Sequence, residues 1–137
     1  MEDISVSYFN FFPVKTLIVE DNDFVRFMLK KYLSTYGVTN IFEAANGEEG
    51  IKMLPLNPDI IICDIHMSPL DGFNFLKHVR SLPTIQNKLP FIFLTANADA
   101  EFVHKAQTMT VDAYLLKPIT SDNLKNKMIA LLINPAA

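Results

Sequence analysis

Five short apolar runs punctuate this chain of 137 residues, and longer stretches with helical spacing of apolar residues separate them. The runs are rich in Val, Ile, Leu and Phe and show little polar alternation, which is typical of strands buried on both faces of a parallel sheet. The clearest example is Ile-Ile-Ile-Cys-Asp, which ends on Asp64. We predict strands over residues 14–19, 39–44, 60–64, 90–94 and 113–116.

The stretches between these runs predict helices. The first begins at Asn22 or Asp23, either of which can cap a helix, and it stops near Gly37. The others are predicted over about 46–54, 72–80, 98–108 and 121–133, with a loop over residues 81–88. Strand and helix therefore alternate five times, which indicates an α/β fold with a five-stranded parallel sheet and helices on both faces.

The size of the chain favours one domain. A chain of this length, half of it hydrophobic, has enough apolar material for a single core. We predict an N-terminal extension over residues 1–13, a domain over residues 14–133 and a short tail over residues 134–137. The extension is rich in aromatic residues, so we expect it to pack on the domain or on a partner.

Charge and composition exclude several functional classes. The net charge is −3 and Lys and Arg are scattered singly, so the sequence predicts no nucleic-acid-binding face. No apolar run approaches the roughly 18 residues of a membrane span. Glu2 and Asp3 stand where a secretory signal carries positive charge, so we expect a cytoplasmic protein. With Cys63 as the only cysteine and no short ligand spacing among the three histidines, the sequence predicts no structural zinc site.

Polar residues follow the predicted strands at their carboxyl ends, where the working crevice of an open parallel sheet lies. Three carboxylates that converge there repel one another, and a hard divalent cation such as Mg²⁺ is the usual way to hold them together. A carboxylate nucleophile, a metal, a lysine and a hydroxyl are the groups needed to receive a phosphoryl group. The residues concerned are Glu20, Asp21, Asp64, Thr95 and Lys117.

The set Glu20-Asp21, Asp64, Thr95-Ala96 and Lys117-Pro118 resembles the receiver domain of two-component response regulators over about residues 13–132. The resemblance implies a flavodoxin-like fold with strand order 2-1-3-4-5. It also implies that Asp64 is the phospho-acceptor, while Lys117 contacts the phosphoryl group. The proline usual after the phospho-acceptor is displaced by one residue, with Ser68 in its place, and Thr110-Val111 stands where the family often has Gly-Ala.

The resemblance implies a metal site and a switch as well. Mg²⁺, or Mn²⁺, would be bound by Asp21, by Asp64 and by the main-chain carbonyl of His66, with Glu20 acting through water. Thr95 would be the switch hydroxyl, and Tyr114, three residues before Lys117, resembles the aromatic residue whose rotamer follows phosphorylation.

The function implied by the resemblance is that of a stand-alone, chemotaxis-regulator-like response regulator. It is a phospho-accepting switch and not a conventional enzyme, although it assists its own phosphorylation and dephosphorylation. The donor would be a histidine kinase or a histidine phosphotransfer protein. A target protein would bind the face formed by the fourth helix, fifth strand and fifth helix, where Glu101, Lys105 and Lys125 are the expected contacts. The chain would be a monomer or a phosphorylation-dependent dimer.

Other interpretations remain open at this point. The chain could be a receiver fragment of a larger regulator or hybrid kinase, or a receiver-like scaffold that works without phosphorylation. An Asp-x-Asp phosphatase would need a second acid where His66 stands, and a nucleotide-binding module would need a Gly-rich loop where Glu20-Asp21-Asn22-Asp23 follows the first strand.

Overall fold

Five parallel strands form one sheet in the computed structural model, which describes residues 9–96, 104, 105, 108 and 111–133. The spatial order is β2-β1-β3-β4-β5, as predicted, and all neighbouring pairs are parallel. The strands are β1 (Lys15–Val19), β2 (Asn40–Ala44), β3 (Ile60–Asp64), β4 (Phe91–Thr95) and β5 (Ala113–Leu116). The predicted fold class and strand order are therefore confirmed.

Helices connect the strands: α1 (Asp23–Tyr36), α2 (Gly47–Met53), α3 (Gly72–Arg80) and the C-terminal helix (Ser121–Ile133). The helix predicted over 98–108 lies mostly outside the described residues, of which 104, 105 and 108 are helical. The prediction of a plain loop over residues 81–88 was wrong in its second half, where Ile85–Lys88 forms a 3-10 turn. A single turn is too short to show helical spacing of apolar residues, so the pattern gave no sign of it.

The first helix shows how local sequence sets these boundaries. The side chain of Asn22 accepts a hydrogen bond from the Val25 amide at 3.0 Å and so caps α1 at its start. Gly37 ends the helix with a φ of 100°, a left-handed conformation that glycine adopts at little cost. Leu29 and Leu33 lie on the buried face. The predicted start and stop of this helix are both confirmed.

The sheet divides the apolar core into two clusters, one on each face. Alternate residues of β1 point to opposite sides: Leu17 packs with α2 and α3, and Ile18 packs with α1 and the C-terminal helix. All residues of β3 and β4 are buried. The two edge strands are less buried, since Asn40 in β2 and Tyr114 and Leu116 in β5 are exposed.

The described part of the N-terminal extension packs on the domain. Phe11 is only 3% exposed, and its ring lies 5.4 Å from that of Tyr36, whereas Phe12 is 66% exposed. Residues 1–8 and 134–137 lie outside the described residues. In the part of the chain that the structure describes, no helix combines the length and apolarity that a membrane span requires.

Candidate functional site

The carboxyl ends of four strands bring the predicted polar residues to one edge of the sheet. The pairing of Val19 with Cys63 places the residues that follow, Glu20 and Asp64, side by side at the ends of β1 and β3. The pairing of Thr95 with Leu116 likewise places Lys117, the residue that follows β5, beside the end of β4. The predicted convergence of these residues at one edge is therefore confirmed.

Three carboxylates form the centre of this edge. Oxygen atoms of Glu20, Asp21 and Asp64 all lie within 4.8 Å of one another. Glu20 is fully buried and Asp64 nearly so, while Asp21 is exposed. The cluster therefore opens to solvent on the side of Asp21.

Lys117 is the cation that faces this cluster. Its Nζ donates hydrogen bonds to Oε1 of Glu20 at 3.1 Å and to Oδ1 of Asp64 at 3.2 Å. Its backbone amide donates to the Thr95 carbonyl at 2.8 Å, which holds the start of this segment against β4. One lysine among three carboxylates leaves the cluster with excess negative charge.

Burial and charge shift the titration of these groups. Burial, and then the nearby Asp64, raise the pKa of Glu20 to about 7. Burial lowers the pKa of Lys117, but Asp64 and Glu20 outweigh this effect, so its pKa lies above the ordinary value. Burial is the larger cause of the raised Glu20 pKa, and the charge of Asp64 adds to it although Lys117 acts in the opposite direction. An all-oxygen donor set of this kind fits Mg²⁺ or Mn²⁺.

Two close backbone contacts hold the loop that follows Asp64. The Gly72 amide donates to the Ile65 carbonyl at 2.8 Å, and the Gly47 amide donates to the Leu70 carbonyl at 2.9 Å. A Cβ atom on Gly72 would lie 2.4 Å from the carbonyl oxygen of Asp64. The loop that contains the exposed His66 is thus fixed at both ends. The Ser68–Pro69 peptide bond within this loop is cis, as is the Lys117–Pro118 bond after β5.

The predicted switch residues lie on the two last strands. Thr95 ends β4 and is buried, and Tyr114 on β5 pairs with Phe93 and is exposed. Their roles in a switch remain predictions.

The target-binding face remains a prediction, and the structure describes the surroundings of two of its three residues. Nζ of Lys105 lies 4.2 Å from the ring centre of Phe73 in α3, and Nζ of Lys125 lies 5.8 Å from that of Tyr36 in α1. The first contact is with a helix on one face of the sheet and the second with a helix on the other face, while Glu101 lies outside the described residues.

Arg26 is a neighbour of the site that the sequence analysis did not identify. Its guanidinium donates to the main-chain carbonyl of Glu20 at 2.7 Å. The only signal in the sequence is that a long cation follows the acidic pair by about one turn of helix, and that spacing alone is equally typical of a solvated helix face.

Comparisons with known proteins agree on one family. A family model described as the response regulator receiver domain matches residues 16–129. The chain is 35% identical over 113 residues to a probable chemotaxis protein CheY from Rhizobium etli, which covers 82% of this chain and 87% of that protein.

Solved structures show the same likeness. A putative response regulator from Chloroflexus aurantiacus superposes with a TM-score of 0.81 at 32% identity, over 88% of this chain and 98% of that one. The signal receiver domain of a signal transduction histidine kinase from Syntrophus aciditrophicus gives a TM-score of 0.80 at 29% identity, over 88% and 91% of the two chains.

Proposed function

Since the chain belongs to the response regulator receiver domain family, we propose that it accepts a phosphoryl group on Asp64 from a histidine kinase or a histidine phosphotransfer protein. The observation that carries this proposal is the contact of Lys117 Nζ with Glu20 and Asp64 inside a cluster of three carboxylates. The proposed nucleophile and a cation are thus in contact, within a cluster whose excess negative charge a divalent cation would balance.

The acidic cluster would hold Mg²⁺, or Mn²⁺, through Asp21 and Asp64, with Glu20 acting through water and the His66 main chain adding a carbonyl. The bound cation would neutralise the phosphoryl oxygens and the carboxylates together. The exposed Asp21 supports a cation that enters from solvent, because the other two carboxylates are buried.

Asp64 and Lys117 carry the transfer step. A carboxylate oxygen of Asp64 attacks phosphorus, the bond between phosphorus and the donor's imidazole nitrogen breaks, and the electron pair leaves with the imidazole. The ammonium group of Lys117, held at 3.2 Å from Asp64, then donates a hydrogen bond to a phosphoryl oxygen. Because the ammonium group of Lys117 is in place before the reaction, its positive charge can stabilise the negative phosphoryl oxygens during the transfer.

Thr95 and Tyr114 would convert phosphorylation into a change of shape. The buried Thr95 hydroxyl, at the next strand end, would donate to the phosphoryl group, and the exposed Tyr114 ring would turn inward on the neighbouring strand. The altered surface around β5 would then bind a target protein. Because one relative is a probable chemotaxis protein CheY, we propose a stand-alone cytoplasmic regulator of that type.

A second candidate is a receiver within a longer regulator or hybrid kinase. The similar receiver domain from the Syntrophus aciditrophicus histidine kinase favours this alternative. In both cases the phosphoryl chemistry at Asp64 is the same.

Incubation with Mg²⁺ and acetyl phosphate tests the proposal. Intact-mass measurement should show one added phosphoryl group in the wild type, which EDTA should prevent, and none in Asp64→Asn. Asp59→Asn is the matched control, because Asp59 lies at the opposite end of β3 and its side chain accepts a hydrogen bond from the Lys15 amide. Phosphorylation of Asp64→Asn at the wild-type rate would refute the assignment.

A further inference from the structure

Arg26 joins three oxygen atoms around the acidic end of β1. Besides the Glu20 carbonyl, it contacts Oδ1 of Asp23 at 2.5 Å and Oε1 of Glu43 at 3.1 Å. Lys30 pairs with the other carboxylate oxygen of Glu43 at 3.0 Å. The guanidinium therefore ties the segment after β1 to the neighbouring strand β2.

The carbonyl that Arg26 holds belongs to the peptide between Glu20 and Asp21. On the other side, the Glu20 amide donates to the Ala44 carbonyl at 2.9 Å, and Glu43 is the residue next to Ala44 on β2. Both peptide groups of Glu20 are thus bonded, one to β2 directly and one through Arg26. Because a peptide group is planar, fixing this carbonyl also fixes the direction in which Asp21 leaves the strand.

The geometry needs an arginine. Its planar fork donates in three directions from one rigid group, to a main-chain carbonyl and to two carboxylates, which the single ammonium of a lysine cannot do in the same geometry. The pair with Asp23 contributes little by itself, since Asp23 is 91% exposed. The bond to the Glu20 carbonyl and its support by Glu43 are the contacts that bear on the site.

We propose that Arg26 is a positioning residue for the metal-binding carboxylates, that it acts through the Glu20 carbonyl, and that Glu43 anchors it. This inference rests on the proposed function, because it states that Arg26 raises the affinity of that same site for Mg²⁺. The expected effect of its loss is on Mg²⁺ binding and not on the transfer step once Mg²⁺ is saturating.

Arg80 provides a matched control for the loss of a structural arginine. It also donates to main-chain carbonyls, those of Asn87 and Leu89, and it pairs with Asp112 at 3.0 Å. These contacts lie just before the starts of β4 and β5, at the end of the strands that is opposite to the site. Arg26→Met and Arg80→Met should therefore both lower thermal stability, but only the first should affect the metal site.

Two measurements test the inference: a Mg²⁺ titration monitored by NMR of the backbone amides, and phosphorylation by acetyl phosphate. In Arg26→Met the Mg²⁺ dissociation constant should rise about tenfold, the range typical for groups that orient metal ligands. In Arg80→Met it should stay within about twofold of wild type. The phosphorylation rate of Arg26→Met at saturating Mg²⁺ should also stay within about twofold of wild type.

Glu43→Gln tests the anchor and substitutes for Arg26→Met if that variant does not fold. It should raise the Mg²⁺ dissociation constant about threefold. The double variant with Arg26→Met should bind Mg²⁺ no more weakly than Arg26→Met alone. Wild-type affinity in Arg26→Met or Glu43→Gln, or an equal loss in Arg80→Met, would overturn the inference. Failure of the wild-type chain to bind Mg²⁺ would instead overturn the proposed function on which it rests.

Discussion

Glu20 is a carboxylate in an unusual environment for a charged group. Its carboxyl is fully buried, and burial together with Asp64 raises its pKa from 4.5 to about 7. A divalent cation favours the ionised carboxylate, so Mg²⁺ binding must release the proton that Glu20 carries below that pH. Mg²⁺ affinity should therefore fall as the pH is lowered through 7.

Isothermal titration calorimetry in two buffers with different ionisation enthalpies counts the released protons. We expect roughly three quarters of a proton per Mg²⁺ at about pH 6.5 and almost none at about pH 8.5. Glu20→Gln should abolish the release at the lower pH. Equal proton release at both pH values in the wild type would contradict this account of Glu20.

Gly72 is the residue that allows the start of α3 to lie against the end of β3. The atoms nearest to a Cβ there are all main-chain atoms, among them Asp64 O at 2.4 Å and Ile65 Cα at 2.8 Å, so the strand end itself would have to move. At Gly50 in α2, by contrast, a Cβ would meet the ring of Phe75 at 3.0 Å, and alanine would gain helix propensity. The two glycines therefore differ in what a methyl group would displace.

We expect Gly72→Ala to lower the free energy of unfolding by about 3 kcal/mol, at the upper end for overpacking, and Gly50→Ala by no more than about 1 kcal/mol. Urea denaturation measures both values. Because the clash at Gly72 displaces the backbone of Asp64, this variant should also be phosphorylated more slowly by acetyl phosphate. A Gly50→Ala variant with the larger loss on both measures would show that the side-chain contact, and not the backbone contact, is limiting.

At the scale of elements, the sequence was informative wherever an apolar pattern ran for several residues. The bounds of β3 and α3 were predicted as they are observed, since a fully apolar strand and an amphipathic helix each leave a pattern. The apolar pattern of β5 gave no sign that Tyr114 and Leu116 are exposed, and only the strand order implied by the resemblance placed this strand at the sheet edge. The 3-10 turn Ile85–Lys88 is too short to leave any period.

The same limit applies to the candidate site. Glu20, Asp64 and Lys117 could be brought together from the sequence because parallel strands end at the same edge. The contacts of Arg26 could not be predicted, because they depend on the register of β1 and β2, which places Glu43 within reach. In such a fold the position of a residue that follows a strand can be predicted from the sequence. The contacts that a helix residue makes with those site residues cannot.

At the scale of the whole molecule, two core clusters share one sheet, and the cluster on the side of α1 extends beyond the predicted domain. Phe11 belongs to that cluster, together with Val14 and Leu33, although it precedes the predicted boundary at residue 14. Its ring also contacts Phe9 at 4.7 Å between ring centres. The packing of these aromatic residues favours a folding unit that begins before residue 14.

A pair of neighbouring phenylalanines tests where the folding unit begins. Phe11→Ala should lower the free energy of unfolding by about 3 kcal/mol, because it removes a ring that is 3% exposed. Phe12→Ala should change it by less than about 0.5 kcal/mol, because that ring is 66% exposed. Neither change should alter phosphorylation by acetyl phosphate, since both residues precede β1 and the site lies beyond its carboxyl end. Equal stability of the two variants in urea denaturation would instead support a unit that starts at residue 14.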